Sequence, residues 1–226
     1  MARADLLPDQ VFRELVEGIL GGRYAPGEAL PGQRALAESF GVNLASLRTA
    51  ITRLESLGLV SVRHGEGTVV RDWREAGIEV LVHAAVRPEG PDPELLLGLL
   101  EARRLLLTEA ARLAAERGGE AAIMRVVELG AAVPREADDR EAQRLDFAFW
   151  SAVVEASGNL VLVLILNTIR QLYLARGELF LGIVADRVAQ EPAYAALAQA
   201  LEDGDGDRAA AAATTLAVAQ EQGLWR

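Results

Sequence analysis

The sequence predicts a mostly α-helical protein with two parts, a small N-terminal domain that ends in a β-hairpin and a larger antiparallel all-α bundle. Three observations support this fold class. The chain has 226 residues, which suits one small and one medium domain. Residues 30–71 show two short helical patterns followed by two stretches that alternate like strands. Residues 93–226 consist of long helical patterns separated by short breaks, such as Gly118-Gly119 and Gly158-Asn159.

Residues 33–40 and 43–57 form a predicted pair of helices joined by a tight turn. Gly41 can adopt the positive φ that ends a helix, and Asn43 is a good N-cap for the next one. One side of the second helix carries apolar residues at core-facing spacing, namely Leu47, Ala50, Ile51, Leu54 and Leu57. The opposite side carries short side chains and guanidinium groups, which suit the DNA major groove: Ala45, Ser46, Arg48, Thr49, Thr52 and Arg53.

Two short strands are predicted after these helices. Gly58 ends the second helix, residues 59–62 and 68–70 alternate like strands, and residues 63–67 form the tip between them. A helix-turn-helix followed by such a hairpin is a winged helix-turn-helix. A first helix over residues 8–21 precedes this unit, because Pro8 is tolerated in a first helical turn and Gly21-Gly22 ends the pattern.

The stretch LPGQRALAESFGVNLASLRTAITRLESLGLVSVRHGEGTVV, residues 30–70, resembles the DNA-binding domain of GntR-family bacterial transcription regulators. This resemblance implies binding to double-stranded operator DNA through Arg34, Asn43, Leu44, Ser46, Arg48, Thr49, Arg53, His64 and Gly65. The chain departs from the family at two of these places. Leu44 stands where the family commonly has an Arg that pairs with guanine, and Gln33 replaces a Glu. We therefore expect an unusual operator or weak binding, since a lost Arg–guanine pair costs about 1–3 kcal/mol of discrimination.

Residues 93–226 are similar to the FCD-type ligand domain of the FadR branch of that family. Three stretches carry the likeness: EARRLLLTEAARLAAER, DFAFWSAVVEASGN and LEDGDGDRAAAAATTLA. The predicted domains are therefore 1–71 for DNA binding, 72–92 for a linker with a short helix over 73–86, and 93–226 for effector binding and dimerisation. The predicted bundle helices span 93–117, 120–129, 141–157, a mostly buried 160–184, 192–202, and a last helix capped by Asp207, with a loop over 130–140.

Many FCD domains hold a divalent metal between one Asp and three His, and this chain departs from that pattern. Asp146 stands at the Asp position, but Trp150 occupies the first His position. Pro192 and about Val218 stand at the other two. The chain has two His in all, His64 and His83, and both lie outside the bundle. We therefore expect neither metal nor cofactor, and Asp146 is either a half-buried acid near a pocket or a helix-surface carboxylate.

The resemblance to metal-free FCD domains implies a fatty acyl-CoA as the effector, with a small organic acid as the alternative. The linker stretch DWREAGIEVLVHAA is similar to that of the fatty-acid regulators. The candidate effector-binding residues are Arg103, Asp146, Phe149, Trp150, Tyr173 and Trp225. Arg103 stands where the family directs an Arg toward an anionic ligand, and its alternative role is an ion pair with Glu101, Glu109 or Asp146. The aromatic residues have core packing as their alternative role.

Composition limits the remaining functions. The net charge of −10 belongs to residues 72–226, with fifteen Arg and twenty-five acidic residues, whereas residues 1–71 are neutral, so phosphate attraction should be modest. The chain has no Cys, no catalytic His candidate and no phosphate-binding Gly loop, which argues against an enzyme. Its longest apolar run, 160–166, is too short to cross a bilayer, and no signal peptide is visible, so we expect a cytoplasmic protein.

Two further expectations concern assembly and the competing function. We expect a homodimer, because two recognition helices can then meet a palindromic site. The apolar stretches 95–100 and 160–166 offer surface for such a contact. The alternative function is an effector-binding FCD-type protein whose DNA binding is weakened or altered.

Overall fold

The computed structural model describes residues 8–63, 67–84, 86–87, 90–175 and 177–225. It divides into two compact units, Met1–Leu95 and Leu96–Arg226. The predicted fold class, mostly helical with one hairpin after a helix-turn-helix, is confirmed.

The N-terminal unit is built around three helices and a hairpin. Its elements are α1 (Pro8–Leu20), α2 (Gln33–Phe40), α3 (Leu44–Ser56), β1 (Val60–Arg63) and β2 (Gly67–Val70). Gly41 ends α2 with φ of 66°, and the Asn43 side chain accepts a hydrogen bond from the Ser46 backbone N at 2.8 Å. The strands pair antiparallel, with Val60 opposite Val70. The helices meet through fully buried side chains, among them Val11, Leu15, Leu47, Leu54 and Leu59.

The linker departs from the single helix predicted over residues 73–86. It consists of two 3₁₀ turns, Trp73–Glu75 and Ile78–Val80, then α4 (Leu81–Ala84), and strands β3 (Val86–Arg87) and β4 (Gly90–Pro91), which pair antiparallel. Asp72 accepts a hydrogen bond from the Arg74 backbone N and starts the first turn. The first turn ends at Ala76, whose backbone is extended, and Gly77 leads into the second. The extended backbone at Ala76 and Gly77 therefore interrupts the single helix that was predicted over residues 73–86.

The C-terminal unit contains six α-helices in the part of the chain that the structure describes. They are α5 (Pro93–Arg117), α6 (Glu120–Ala132), α7 (Asp139–Ala156), α8 (Leu160–Ala175), α9 (Arg187–Glu202) and α10 (Gly206–Gly223). The predicted loop over 130–140 contains the last residues of α6, the 3₁₀ turn Val133–Arg135 and the first residues of α7. Asp205, not Asp207, caps α10 through the Arg208 backbone N. The helix α9 begins at Arg187, five residues before the predicted start, and includes Pro192.

The long apolar segment after Asn159 is not one buried helix. The helix α8 ends at Ala175, and the 3₁₀ segment Gly177–Val184 follows. Among the α8 residues whose side chains the structure describes, Leu172 alone is buried, whereas Leu160, Val161 and Leu164 are 57–69% exposed. A helix that is apolar all round is normally buried, so the outer face of α8 is a surface that this chain alone does not cover.

No single helix in the described ranges is long and apolar enough to cross a bilayer. The helices Leu160–Leu174 and Gly177–Val184 reach that length and composition only when they are taken together, and the chain bends between them.

Candidate functional site

The recognition helix α3 presents part of the predicted DNA-binding set to solvent. Arg48 and Thr49 are exposed on α3, and Arg34 is exposed on α2. Arg48 Nε donates to Gln33 Oε1 at 3.3 Å, which links the two helices of the motif. This bond uses Nε and neither terminal nitrogen of the exposed Arg48 guanidinium.

Other members of that set have partners within the protein. Arg53 forms an ion pair with Asp9 and lies over the Phe12 ring, 4.0 Å from its centroid, so it holds α3 against α1. The Asn43 side-chain oxygen caps α3 by accepting a hydrogen bond from the Ser46 backbone N. Leu44 is partly buried and packs against the core of the unit. The predicted contacts His64 and Gly65 lie outside the described residues.

The bundle contains an apolar cavity between α5, α7, α8 and the 3₁₀ segment Gly177–Val184. Its volume is about 60 Å³. The wall is formed mainly by aliphatic residues, namely Leu99, Leu100, Leu106, Leu107, Val154, Leu162, Ile165, Leu166, Ile169, Leu172 and Ile183. The remaining lining residues are aromatic or charged: Arg103, Asp146, Phe147, Trp150, Tyr173 and Phe180.

Asp146 belongs to a buried hydrogen-bond network behind this wall. Its side chain lines the cavity, as expected of an acid near a pocket, but it is fully buried and is neither half-buried nor on the helix surface. Asp146 Oδ1 accepts from the Tyr194 hydroxyl and from Gln220 Nε2, both at 2.6 Å. Gln220 Nε2 also lies 2.9 Å from the Tyr194 hydroxyl, to which it donates. Burial raises the pKa of Asp146, while Arg103 and these hydrogen bonds oppose that rise.

The network contains two residues that the sequence analysis missed. Tyr194 and Gln220 lie two residues beyond Pro192 and Val218, the positions to which the metal-binding pattern was aligned. Each residue belongs to a row of buried side chains at helical spacing. The row on α9 consists of Gln190, Tyr194, Leu197 and Leu201. The row on α10 consists of Ala209, Ala213, Leu216, Ala217 and Gln220. A polar residue in such a stripe was the signal that could have found them.

Arg103 reaches from α5 to this network, and one of its guanidinium nitrogens is buried without a hydrogen-bond partner. Its Nη2 donates to Gln220 Oε1 at 2.6 Å, and its guanidinium carbon lies 5.7 Å from the Trp150 ring centroid. Trp150 Nε1 donates to the same Gln220 oxygen at 3.2 Å. Arg103 Nη1 is buried and has no hydrogen-bond partner. Arg103 therefore donates its hydrogen bond to the Gln220 amide. It donates none to Glu101, Glu109 or Asp146, the three carboxylates considered from the sequence.

Tyr173 is the second polar residue with an unused group at the cavity. Its ring lies between Phe147 and Phe180, at centroid distances of 5.0 and 5.3 Å. Its hydroxyl is buried and has no hydrogen-bond partner. Gln143 interacts with this hydroxyl and lowers its pKa slightly, and the Gln143 amide nitrogen also donates to the Gly177 carbonyl oxygen at 2.7 Å. Burial raises the pKa of Tyr173, so its hydroxyl keeps a proton to donate.

Two predicted effector-binding residues do not line the cavity. Phe149 is fully buried behind the wall, with its ring 5.1 Å from those of Trp150 and Tyr194. Trp225 is 54% exposed near the C-terminus. Within the described residues, no group of three His, Cys, Asp or Glu could hold a metal ion.

A helix-turn-helix with a hairpin wing can place its second helix in the DNA major groove, and the helical bundle contains a cavity of its own. Residues 7–70 match the family model of bacterial regulatory proteins of the gntR family, and residues 98–218 match that of the FCD domain. The chain therefore belongs to the GntR family and is a DNA-binding transcriptional regulator with an FCD effector-binding domain.

Named relatives agree with this family. The chain is 34% identical to the transcriptional regulator Mce2R of Mycobacterium tuberculosis over 211 residues, 93% of this chain and 88% of that protein. It is 36% identical to the regulator LutR of Bacillus subtilis over 160 residues, 69% and 70% of the two chains. It is 32% identical to the fatty acid metabolism regulator protein of Yersinia pestis over 168 residues, 74% and 69% of the two chains.

Solved structures show the same fold at lower identity. A GntR protein of Streptococcus agalactiae has a TM-score of 0.52 and 22% identity over 96% of this chain and 100% of that one. Lar, which controls the expression of the Listeria monocytogenes agr system, has a TM-score of 0.62 and 19% identity over 100% and 99% of the two chains.

Proposed function

We propose that an anionic effector with an apolar body binds in the bundle cavity and controls the affinity of this regulator for operator DNA. The observation that carries the proposal is the pair of buried donors without partners, Arg103 Nη1 and the Tyr173 hydroxyl, beside an apolar wall. A buried guanidinium needs a partner, and an effector anion would supply one. On this proposal residues 1–71 bind DNA, 72–92 link the domains, and 93–226 bind the effector, in the cytoplasm.

A long-chain acyl-CoA and a small organic acid are the two candidate effectors. The apolar wall and the similarity to a fatty acid metabolism regulator favour the acyl-CoA. The volume favours the smaller acid, because about 60 Å³ corresponds to roughly four to six waters. The geometry therefore supports the smaller acid better.

A homodimer is part of the same proposal. The outer face of α8 carries Leu160, Val161 and Leu164 exposed, and a second copy of the chain would cover this face. Two-fold pairing would also give two α3 helices for the two halves of a palindromic operator.

DNA binding and its control by effector are tested together. The full chain is titrated against a fluorescent duplex from its own promoter region, with and without carboxylic acids and acyl-CoA thioesters. We expect an effector to change the DNA affinity of the wild type and of Arg104→Ala, but not of Arg103→Ala. Arg104 is the matched control, because it joins the same two helices through Glu221 at 2.8 Å and does not line the cavity. DNA binding that ignores every compound would refute effector control, and an absence of DNA binding would favour an effector-binding protein with altered DNA recognition.

A further inference from the structure

We infer that Gln33 is a positioning residue for DNA binding, which holds the Arg48 side chain in place and leaves its positive charge uncompensated. The inference rests on the proposed DNA binding by residues 1–71, but not on the bundle cavity or on control by an effector. It follows from the charge of the group that each Arg on the exposed side of α3 contacts.

The bond between Gln33 and Arg48 occupies one side of the guanidinium. Gln33 is the first residue of α2, and its Oε1 accepts from Arg48 Nε on α3 at 3.3 Å. A guanidinium carries five N–H donors in a rigid plane, so a contact through Nε does not use the two terminal nitrogens. That pair of nitrogens is the edge that binds a phosphate or a guanine through two parallel hydrogen bonds.

The partner of Arg48 is neutral. Gln33 contributes a carboxamide, and no carboxylate forms an ion pair with Arg48 in the part of the chain that the structure describes. Arg48 is also exposed, so its full positive charge lies at the surface of α3. Neutralisation of phosphates by such charges supplies much of the affinity of proteins for DNA.

Arg53, five residues further along α3, is held in the opposite way. It forms an ion pair with Asp9 of α1, and its guanidinium carbon lies 4.0 Å from the centroid of the Phe12 ring. A phosphate would have to displace Asp9 to use this charge. Of these two cations, Arg48 is therefore the one prepared for DNA, and the uncharged partner Gln33 makes the difference.

Holding Arg48 before DNA arrives lowers the entropic cost of the contact, because an Arg side chain otherwise loses much rotamer freedom on binding. A carboxylate in place of the carboxamide would hold the guanidinium more strongly, but it would compete with phosphate for the same charge. A positioning role and a purely structural link between α2 and α3 therefore predict opposite effects of a carboxylate on DNA affinity.

Gln33→Glu makes this distinction, because it keeps an acceptor beside Arg48 and adds a charge. We expect the thermal unfolding midpoint to stay the same or rise, and DNA affinity to fall about threefold to tenfold. Ala35→Glu is the matched control, since Ala35 is exposed on the opposite side of α2 by helical spacing and should give a smaller loss. Gln33→Glu that binds DNA as tightly as the wild type would overturn the inference and leave Gln33 as a structural link.

Gln33→Met removes the acceptor without changing the charge or length of the side chain. We expect DNA affinity to fall about threefold in the wild-type background and to stay unchanged when Arg48→Ala is already present, with no change in the unfolding midpoint. A loss of equal size in both backgrounds would mean that Gln33 contacts DNA directly, and no loss in either would mean that it does not position Arg48. Either result overturns the inference.

Affinity is measured by fluorescence anisotropy with the full chain, without effector, and a duplex from its own promoter region. A wild type that binds no duplex refutes the proposed DNA binding, and the inference with it. A wild type that binds while its affinity ignores both Gln33 substitutions refutes the positioning role alone.

Discussion

Gln220 shows how one buried amide connects the helices around the cavity. Its oxygen accepts from Arg103 on α5 and Trp150 on α7, and its nitrogen donates to Asp146 on α7 and Tyr194 on α9. All four bonds lie inside the bundle, where an unsatisfied polar group would be costly. An anion that binds Arg103 therefore acts on a residue that is already linked to three other helices.

The DNA-binding residues show what helical spacing can and cannot predict. The exposure of Arg48 follows from its place between Leu47 and Ala50 in the core-facing pattern of α3. Spacing could not reveal the partner of Arg53, because Asp9 and Phe12 lie about forty residues earlier, on another helix. The same limit applies to Gln220, whose partners come from three other helices.

Arg48 and Leu44 give the residue-scale prediction. We expect Arg48→Ala to weaken operator binding by about 1–3 kcal/mol, the range for a lost specific Arg contact. We expect Leu44→Arg to tighten binding or to shift preference toward guanine-containing sites. Fluorescence anisotropy with duplexes that differ in guanine content measures both effects.

Arg53→Ala is the control for this prediction. Its ion pair and its ring contact hold α3 to α1, so its removal should lower the free energy of unfolding by about 1 kcal/mol, with a smaller effect on DNA affinity. Unchanged DNA binding by Arg48→Ala would show that this face of α3 does not enter the groove.

At the scale of elements, the 3₁₀ segment Gly177–Val184 explains why a single long helix was the wrong prediction. Its backbone packs directly on the end of α10, since a Cβ at Gly182 would lie 2.6 Å from the Gly223 carbonyl oxygen. Phe180 and Ile183 of this segment face the cavity. The apolar composition of this segment predicted that the helix continues. Periodicity along one segment cannot reveal a backbone contact with a distant segment, so the break was not predicted.

Gly182→Ala tests this contact. The added methyl would meet only backbone atoms, so we expect the variant to lower the free energy of unfolding by about 1–3 kcal/mol, as overpacking does. Gly98→Ala on α5 is the control, because a Cβ there meets nothing within 4 Å. It should raise stability by about 0.5–1 kcal/mol through helix propensity. Urea unfolding measures both, and a neutral Gly182→Ala would contradict the close approach.

At the scale of the whole molecule, the sequence was sufficient to predict the two-part architecture but not which apolar surface stays open. Glycine-containing breaks and helical periodicity locate the helices because both are local properties of the chain. The burial of α8 was predicted from its composition, yet Leu160 and Val161 are exposed. Composition alone does not distinguish a surface covered by the same chain from one that another molecule covers.

We expect the protein to sediment as a dimer. We expect the double substitution Val161→Glu and Leu164→Glu to convert it to a monomer of 24.2 kDa. Both residues are more than half exposed on α8, and two carboxylates on each copy would repel across a two-fold contact. The variant should keep its helical circular dichroism and lose DNA affinity, because one winged helix contacts only half a palindrome. Met124→Glu, at an equally exposed apolar residue on α6, should remain dimeric. A wild-type monomer at micromolar concentration, or a double variant that remains dimeric, would show that α8 does not form the dimer contact.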